Sequence, residues 1–283
     1  MRLLVTGATG FIGGYVVHAL LKTGHRVIAT SSSQEKAEKQ DWFSKVTYIA
    51  LDLKTIDNSI DYYSFFEKPD CIIHLAWEGL PNYKSLFHFE ENLPRHYVFL
   101  KNLVVNGAKD ITVTGTCFEY GMIEGCLIET MLTQPENPYA LAKDCLRKYL
   151  EELRKMHPFS LKWPRLFYMY GKGQNQKSIL PQLDMAIQNS EEVFNMSGGQ
   201  QVRDYLPVEH VAANIVSIAL QKEVDGIVNC ASGIPITVKA LVEDYIQKQN
   251  ASIKLNLGHY PYPDYEPMRF WGGIEKLNMV NKI

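Results

Sequence analysis

The segment Thr6-Gly7-Ala8-Thr9-Gly10-Phe11-Ile12-Gly13 follows the apolar run Leu3-Leu4-Val5. It opens a helical pattern with apolar positions at Ile12, Val16, Ala19 and Leu20. A buried strand that turns through glycines straight into a helix commits the start of the chain to a βαβ unit. Glycines at this spacing allow a tight turn, a close backbone approach and tight helix–strand packing. The helix start presents backbone N–H groups and the positive end of its dipole to an anion, so the loop reads as a dinucleotide phosphate cradle. Its binding candidates are Gly7, Thr9, Gly10, Phe11, Ile12 and Gly13.

The alternation continues along the chain. Apolar runs at 25–30, 46–51, 70–75, 111–114 and 160–166 read as strands, and periodic stretches at 11–23, 93–106 and 138–156 read as helices. Strands alternating with helices of that length predict an α/β protein, a Rossmann-type doubly wound parallel sheet covered on both faces. After Tyr170-Gly171 the character changes. A polar, glycine-containing stretch at 172–177 precedes a helical pattern at 179–189, and Gly198-Gly199 lies within 195–202. Residues 208–220 are amphipathic, 227–230 form an apolar run able to return to the sheet, and the Pro- and Tyr-rich stretch 260–270 reads as irregular.

A formal charge of -2 over 283 residues, with no Lys/Arg-rich run, argues against a nucleic-acid or membrane-surface partner. Cys71, Cys117, Cys126, Cys145 and Cys230 are widely spread, with no C-x-x-C pair, which fits a reducing compartment and no metal site. There is no signal-peptide pattern and no apolar stretch of membrane-spanning length, so a soluble cytoplasmic protein is expected.

The end of the second strand bears on the cofactor. An acidic residue there binds the adenosine ribose hydroxyls of NAD. This chain has Val27-Ile28-Ala29-Thr30-Ser31-Ser32-Ser33, hydroxyls and no carboxylate. That leaves room for a 2′-phosphate, with Lys36 close by, and favours NADP (NADPH) over NAD with Thr30, Ser31 and Ser32 as candidates. Serines that only cap the next helix are compatible with either. The expected organisation is an NADP-binding domain at 1–170 with a return segment near 205–232, and a smaller C-terminal substrate-binding lobe from 171–204 and 233–283.

In Asn137-Pro138-Tyr139-Ala140-Leu141-Ala142-Lys143, Tyr139 and Lys143 stand four apart, on one face of a helix whose first turn suits Pro138. A neighbouring ammonium favours the phenolate and lowers a tyrosine pKa from about 10. Such a tyrosine can give or take a proton at a carbonyl or hydroxyl carbon. Taken alone the pair is a weak signal and fits better a surface pair beside a dimer or core face.

With Gly7, Gly10 and Gly13 and with Tyr139 and Lys143 in one chain, the sequence resembles the extended short-chain dehydrogenase/reductases, the NAD-dependent epimerase/dehydratase family. That family acts largely on nucleotide sugars, and the resemblance covers nearly the whole length. Asp52-Leu53 fits the family's adenine-contacting position and His74-Leu75-Ala76 its H-L-A motif. The stretch 113–121, ending in Tyr120-Gly121, fits the segment that carries the catalytic Ser/Thr. Residues 166–171 resemble the cofactor-to-substrate crossover. Val202-Arg203-Asp204-Tyr205 with Val208-Glu209-His210-Val211 resembles the element whose Arg grips the substrate diphosphate.

The resemblance implies the following roles. Thr116 hydrogen-bonds the substrate oxygen, Tyr139 gives or takes the proton, and Lys143 lowers the tyrosine pKa and binds the nicotinamide ribose. Asp52, Leu53, Leu75, Ala76 and Trp77 line the cofactor. Trp77 and Tyr83 are candidates to line the sugar pocket, with core or loop packing as the alternative, and Cys117 and Phe118 are candidates for its wall. Arg203 takes the diphosphate, Arg269 resembles a second phosphate-binding Arg with a surface arginine as the alternative, and Tyr168 replaces an Asn common at the diphosphate, which leaves that contact open. The helices at 93–106 and 138–156 imply a homodimer.

Departures from relatives narrow the reaction. Sugar-nucleotide dehydratases place acid–base groups one and two positions after the catalytic Thr, where this chain has Cys117 and Phe118. Glu119 comes one residue late, and on a strand-like segment it points to the other side. The epimerase/reductases that use a Cys place it one position later than Cys117 and add a His that 172–180 lacks. What remains resembles the NADPH-dependent 4-ketoreductases that act on dTDP- or CDP-linked 4-keto-6-deoxyhexoses in deoxysugar and O-antigen biosynthesis. Two alternatives stay open: a 4-epimerase (or 2-epimerase) with tightly bound NAD, and a non-catalytic NADP-sensing protein. The latter typically lacks the Tyr or the Lys, and both are present.

Overall fold

The computed structural model describes residues 1–282. Its central parallel sheet runs in the spatial order Thr47–Tyr48, Arg26–Thr30, Arg2–Thr6, Cys71–His74, Asp110–Val113, Ser160–Leu166, Gly226–Cys230, and the short strand Gly115–Thr116 also pairs with Ser160–Leu166. The chain builds outward from Arg2–Thr6 to one side, then returns to lay Cys71–His74 on the other. That reversal opens a crevice at the carboxyl ends of two adjacent strands, where open α/β sheets bind their ligands. Thr6 faces Thr30 on one neighbour and His74 on the other.

Both faces of the sheet are covered, which is why its strands read as unbroken apolar runs. Side chains alternate between two cores. Leu3, Val5, Val27, Ala29 and Ile73 pack with Val16, Val17 and Leu20 of the helix Phe11–Lys22 and with Ile215 of the helix Val208–Leu220. Leu4, Ile28, Ile72 and Ile111 pack with Phe99 and Leu103 of the helix Leu93–Val105 and with Leu146 and Leu150 of the helix Pro138–Met156. A third apolar cluster joins Leu183, Phe194, Met196, Leu241 and Val242. It lies beside the three-stranded sheet Pro235–Thr237, Val202–Pro207, Tyr168–Tyr170. Residue 283, the last of the expected 233–283 segment, lies outside the described residues.

Several local expectations are corrected. The run 46–51 is a strand only at Thr47–Tyr48, though Ile49 N and Leu51 N still donate to Ala29 O and Ser31 O. The helix expected at 93 is already wound as a π turn over His88–Asn92, and Pro94, which has no N–H to donate, sits just inside the regular part. The stretch 260–270 is irregular as expected up to Phe270, which opens the short strand Phe270–Gly272 paired with Gly125–Leu127. Among the described residues no helix is long and apolar enough to cross a membrane.

Candidate active site

The glycine loop is as tight as the spacing demands. Gly7 has φ +68°, and a Cβ there would lie 2.8 Å from Ala76 N; a Cβ on Gly13 would lie 2.1 Å from Gly7 O. The loop therefore seats directly on the segment after Cys71–His74. Thr6 Oγ1 links the two strand ends, accepting from Ala76 N at 3.3 Å and meeting His74 Nδ1 at 2.8 Å. His74 Nε2 continues to His96 Nδ1 at 2.7 Å. Burial pulls the His74 imidazole down to about 3 and His96 well below its usual range, so both are neutral.

At the second strand, Thr30 Oγ1 is buried without a hydrogen-bond partner. Ser31 is buried with its hydroxyl 3.0 Å from Tyr48 Oη, Ser32 is exposed, and Ser33 caps the next helix at Lys36 N. Asp52 accepts from Lys54 N at 2.9 Å and caps the turn Leu53–Thr55. A cradle that side chains would fill and an orphaned hydroxyl beside it fit a dinucleotide laid across these strand ends. Thr9, Gly10, Phe11, Ile12, Leu75 and Ala76 border the same crevice by their place in the chain. Among the described residues no cluster of His, Cys, Asp or Glu is arranged to hold a metal ion.

Asn137 caps the helix Pro138–Met156 by accepting from Ala140 N, and Tyr139 N donates to Tyr83 O. Both Tyr139 (8% exposed) and Lys143 (2%) lie inward. Lys143 Nζ donates to Thr114 O at 3.0 Å and sits 4.1 Å above the Trp77 ring. Trp77 stacks on His96 and donates from Nε1 to His88 Nδ1 at 3.1 Å, and His88 Nε2 in turn donates to Asn82 O. Trp, a donor only, thereby fixes the His88 tautomer.

The expected depression of the Tyr139 pKa is not met. Burial pushes the phenol up, Tyr83, Glu119 and Cys117 add to it, and a hydrogen bond with Thr116 opposes it. Lys143 is itself pulled down to about 7 by burial, with Glu119 opposing. The ammonium is directed at the Thr114 carbonyl and the Trp77 face, so it does not offset the phenol's desolvation. This carries a stability consequence. The unfolded chain binds a proton at Lys143 between pH 7 and its usual range, the folded chain does not, and folding is penalised as pH falls through that window. Lys143→Met is therefore expected to raise Tm at pH 7 by roughly 5 °C while abolishing turnover. The gain should shrink as pH rises toward 10; melting curves over that range check the sign.

Thr116 is the N-cap of a 3-10 turn, Cys117–Tyr120, rather than part of a continuing strand. Its Oγ1 accepts from Phe118 N, and its N–H donates to Glu119 Oε1, a reciprocal capping box. Glu119 does turn away from the cleft, but because of this turn and not by strand alternation. It is fully buried against Trp163 Nε1 (2.9 Å) and Arg165 Nε (2.8 Å). Burial pushes the Cys117 thiol up, which leaves it as inert wall.

On the substrate side, Tyr83 packs edge-on or tilted against Tyr139, Phe118 and Tyr265, with ring centroids 5.6, 5.2 and 5.8 Å apart. Phe118 also meets Tyr168. Arg203 is buried and pairs with Glu266, and Tyr168 Oη donates to the same carboxylate. Arg269 is not brought in. It is exposed, and strand alternation puts it opposite Phe270, whose ring lies against Arg203. His88, Tyr265 and Glu266 were not among the sequence candidates. They carry no motif, and only the fold brings them to the cleft.

The model of the NAD dependent epimerase/dehydratase family matches residues 3–257. A dTDP-6-deoxy-L-talose 4-dehydrogenase (NAD(+)) from Aggregatibacter actinomycetemcomitans is 30% identical, over 96% of this chain and 99% of that one. A CDP-abequose synthase from Salmonella typhimurium is 25% identical, over 78% of this chain and 71% of its own. Among solved structures, a UDP-glucuronic acid 4-epimerase from Bacillus cereus, in complex with UDP-glucuronic acid and NAD, superposes with a TM-score of 0.84. It is 20% identical and covers 100% of this chain and 93% of its own, a likeness of fold.

Proposed function

The chain belongs to the NAD-dependent epimerase/dehydratase family, and from that premise we propose that it reduces the C4 keto group of a nucleotide-linked 4-keto-6-deoxyhexose. It is an NAD(P)-dependent oxidoreductase. The observation that carries the finer reading is the proton inventory around Tyr139. The buried Tyr139 phenol is hydrogen-bonded with Thr116, Cys117 and Phe118 stand where elimination chemistry needs acids, and Glu119 is turned into the core.

When bound, the dinucleotide supplies the hydride. Tyr139, kept protonated by burial, donates the proton to the developing alkoxide. Thr116 Oγ1 accepts from Phe118 N, so its own hydrogen is directed at the Tyr139 phenol and passes to the C4 oxygen when the substrate enters. Lys143 spends one hydrogen on Thr114 O and keeps the others for the nicotinamide ribose. The carboxylate-free end of the second strand, with Lys36 exposed nearby, supports NADPH. The similar talose 4-dehydrogenase is named for NAD(+), and that supports NADH as the second reading. The names of that relative and of the abequose synthase support a dTDP- or CDP-sugar.

A 1–170 cofactor domain with a 205–232 return, and a 171–204 plus 233–283 substrate lobe, fit this division of labour. A homodimer through the helices Leu93–Val105 and Pro138–Met156 is part of the proposal, supported by exposed Val105, Leu141 and Tyr149.

The test is a panel of dTDP-, CDP-, GDP- and UDP-4-keto-6-deoxyhexoses with NADPH or NADH, followed at the nicotinamide absorbance. Stoichiometric cofactor oxidation with a dTDP- or CDP-sugar is expected. Sugar interconversion without net oxidation would make the enzyme an epimerase, and no reaction with any of the four would defeat the reading.

A further inference from the structure

Arg203 is already engaged by the chain itself. Its side chain is 2% exposed, Nη1 donates to Val202 O at 2.9 Å and Met268 O at 3.1 Å, and Nη2 meets Glu266 Oε1 at 3.1 Å. The Phe270 and Tyr168 rings stack within 4.6 and 5.7 Å of the guanidinium. The other Glu266 oxygen accepts from Tyr168 Oη, so the carboxylate is held at both ends. The arrangement lies in the catalytic cleft: the Glu266 charge adds to the raised pKa values of Cys117, next to Thr116, and of Tyr83, against Tyr139.

We infer that Glu266 is an internal competitor for the substrate's anionic group: its carboxylate occupies Arg203 where a phosphate oxygen would bind, so a diphosphate enters by exchange with it. This rests on the nucleotide-sugar reading above. Three features support exchange over a permanent pair. Burial pushes the Glu266 carboxyl up to about 7, so its charge is held at a cost even beside a guanidinium. A diphosphate brings more charge and more oxygens to the same fork. The segment that carries Glu266 is also lightly tied. Residues 257–268 form no helix or strand, and Asp264 is clasped by Lys84 in an ion pair whose side chains are 78% and 62% exposed. A pair so exposed to water and salt holds the segment only weakly.

Exchange makes Glu266 specificity-determining. A ligand without a diphosphate cannot evict it, and a returning carboxylate speeds product release. Calorimetric titration with dTDP, CDP, UDP and GDP tests this on the wild type and on Glu266→Gln, which keeps the shape and removes the charge. Glu266→Gln is expected to bind the preferred diphosphate about tenfold more tightly, and to lower KM more than kcat. Equal or weaker binding by a folded Glu266→Gln overturns the inference and leaves the nucleotide-sugar reading standing. If that variant does not fold, Lys84→Ala, which loosens the clasp at the surface, should bind about two- to threefold more tightly. An unchanged constant overturns the inference there too. If neither wild type nor variant binds any of the four diphosphates, the nucleotide-sugar reading fails and the inference with it.

Discussion

Tyr139→Phe is expected to lower kcat by about a thousandfold while affinity for the nicotinamide dinucleotide stays within about twofold. The phenol is the proton donor that the structure places in a hydrogen bond with Thr116. Its ring is fixed independently of the hydroxyl, by packing against His88, Tyr83 and Trp77 at 5.3, 5.6 and 6.2 Å. Phenylalanine keeps those contacts and removes only the O–H. The glycine loop that seats the dinucleotide belongs to another part of the chain and is untouched. Single-turnover rates and quenching of intrinsic fluorescence on dinucleotide binding separate the two effects. A loss of less than tenfold would transfer the proton to another group.

The largest stability effect is expected at Glu119. Its carboxylate accepts from Thr116 N, Trp163 Nε1 and Arg165 Nε, and the Arg165 side chain is 0% exposed. Glu119→Ala leaves a buried guanidinium without its counter-charge, a change that costs about 3–5 kcal/mol. For a chain of this size that lowers Tm by roughly 10–15 °C. The double variant Glu119→Leu with Arg165→Met should recover most of it, because the desolvation of both charges disappears together. Because Thr116 N is one of the three donors, the single variant should also lower kcat at temperatures where it is folded. A Tm within about 2 °C of wild type would mean that the ion pair contributes little.

What could be read from the chain differs by the range of the interaction involved. The glycine loop and the Tyr139–Lys143 pair are local, and strand–turn–helix context and i,i+4 spacing locate them without the fold. The central strands were legible because a sheet buried on both faces writes unbroken apolar runs. The ionisation of Tyr139 was not, since spacing shows which groups are neighbours and not how much water reaches them. Strand alternation and a capped 3-10 turn both turn Glu119 from the cleft, and the sequence pattern does not distinguish the turn that does so. Arg203 was found by its motif, but its partner Glu266 sits in a proline- and tyrosine-rich stretch with no periodicity.

The sheet's reversal at Arg2–Thr6 and Cys71–His74 also bears on how such an enzyme can be altered. Thr116 and the Tyr139–Lys143 helix start are braced by strands and the main cores, whereas Tyr83, Tyr265 and Glu266 ride on connecting segments. A different sugar can be accommodated by exchanging those segments without retooling the machinery beneath. Such a scaffold can be re-addressed by loop grafting while its reaction stays the same.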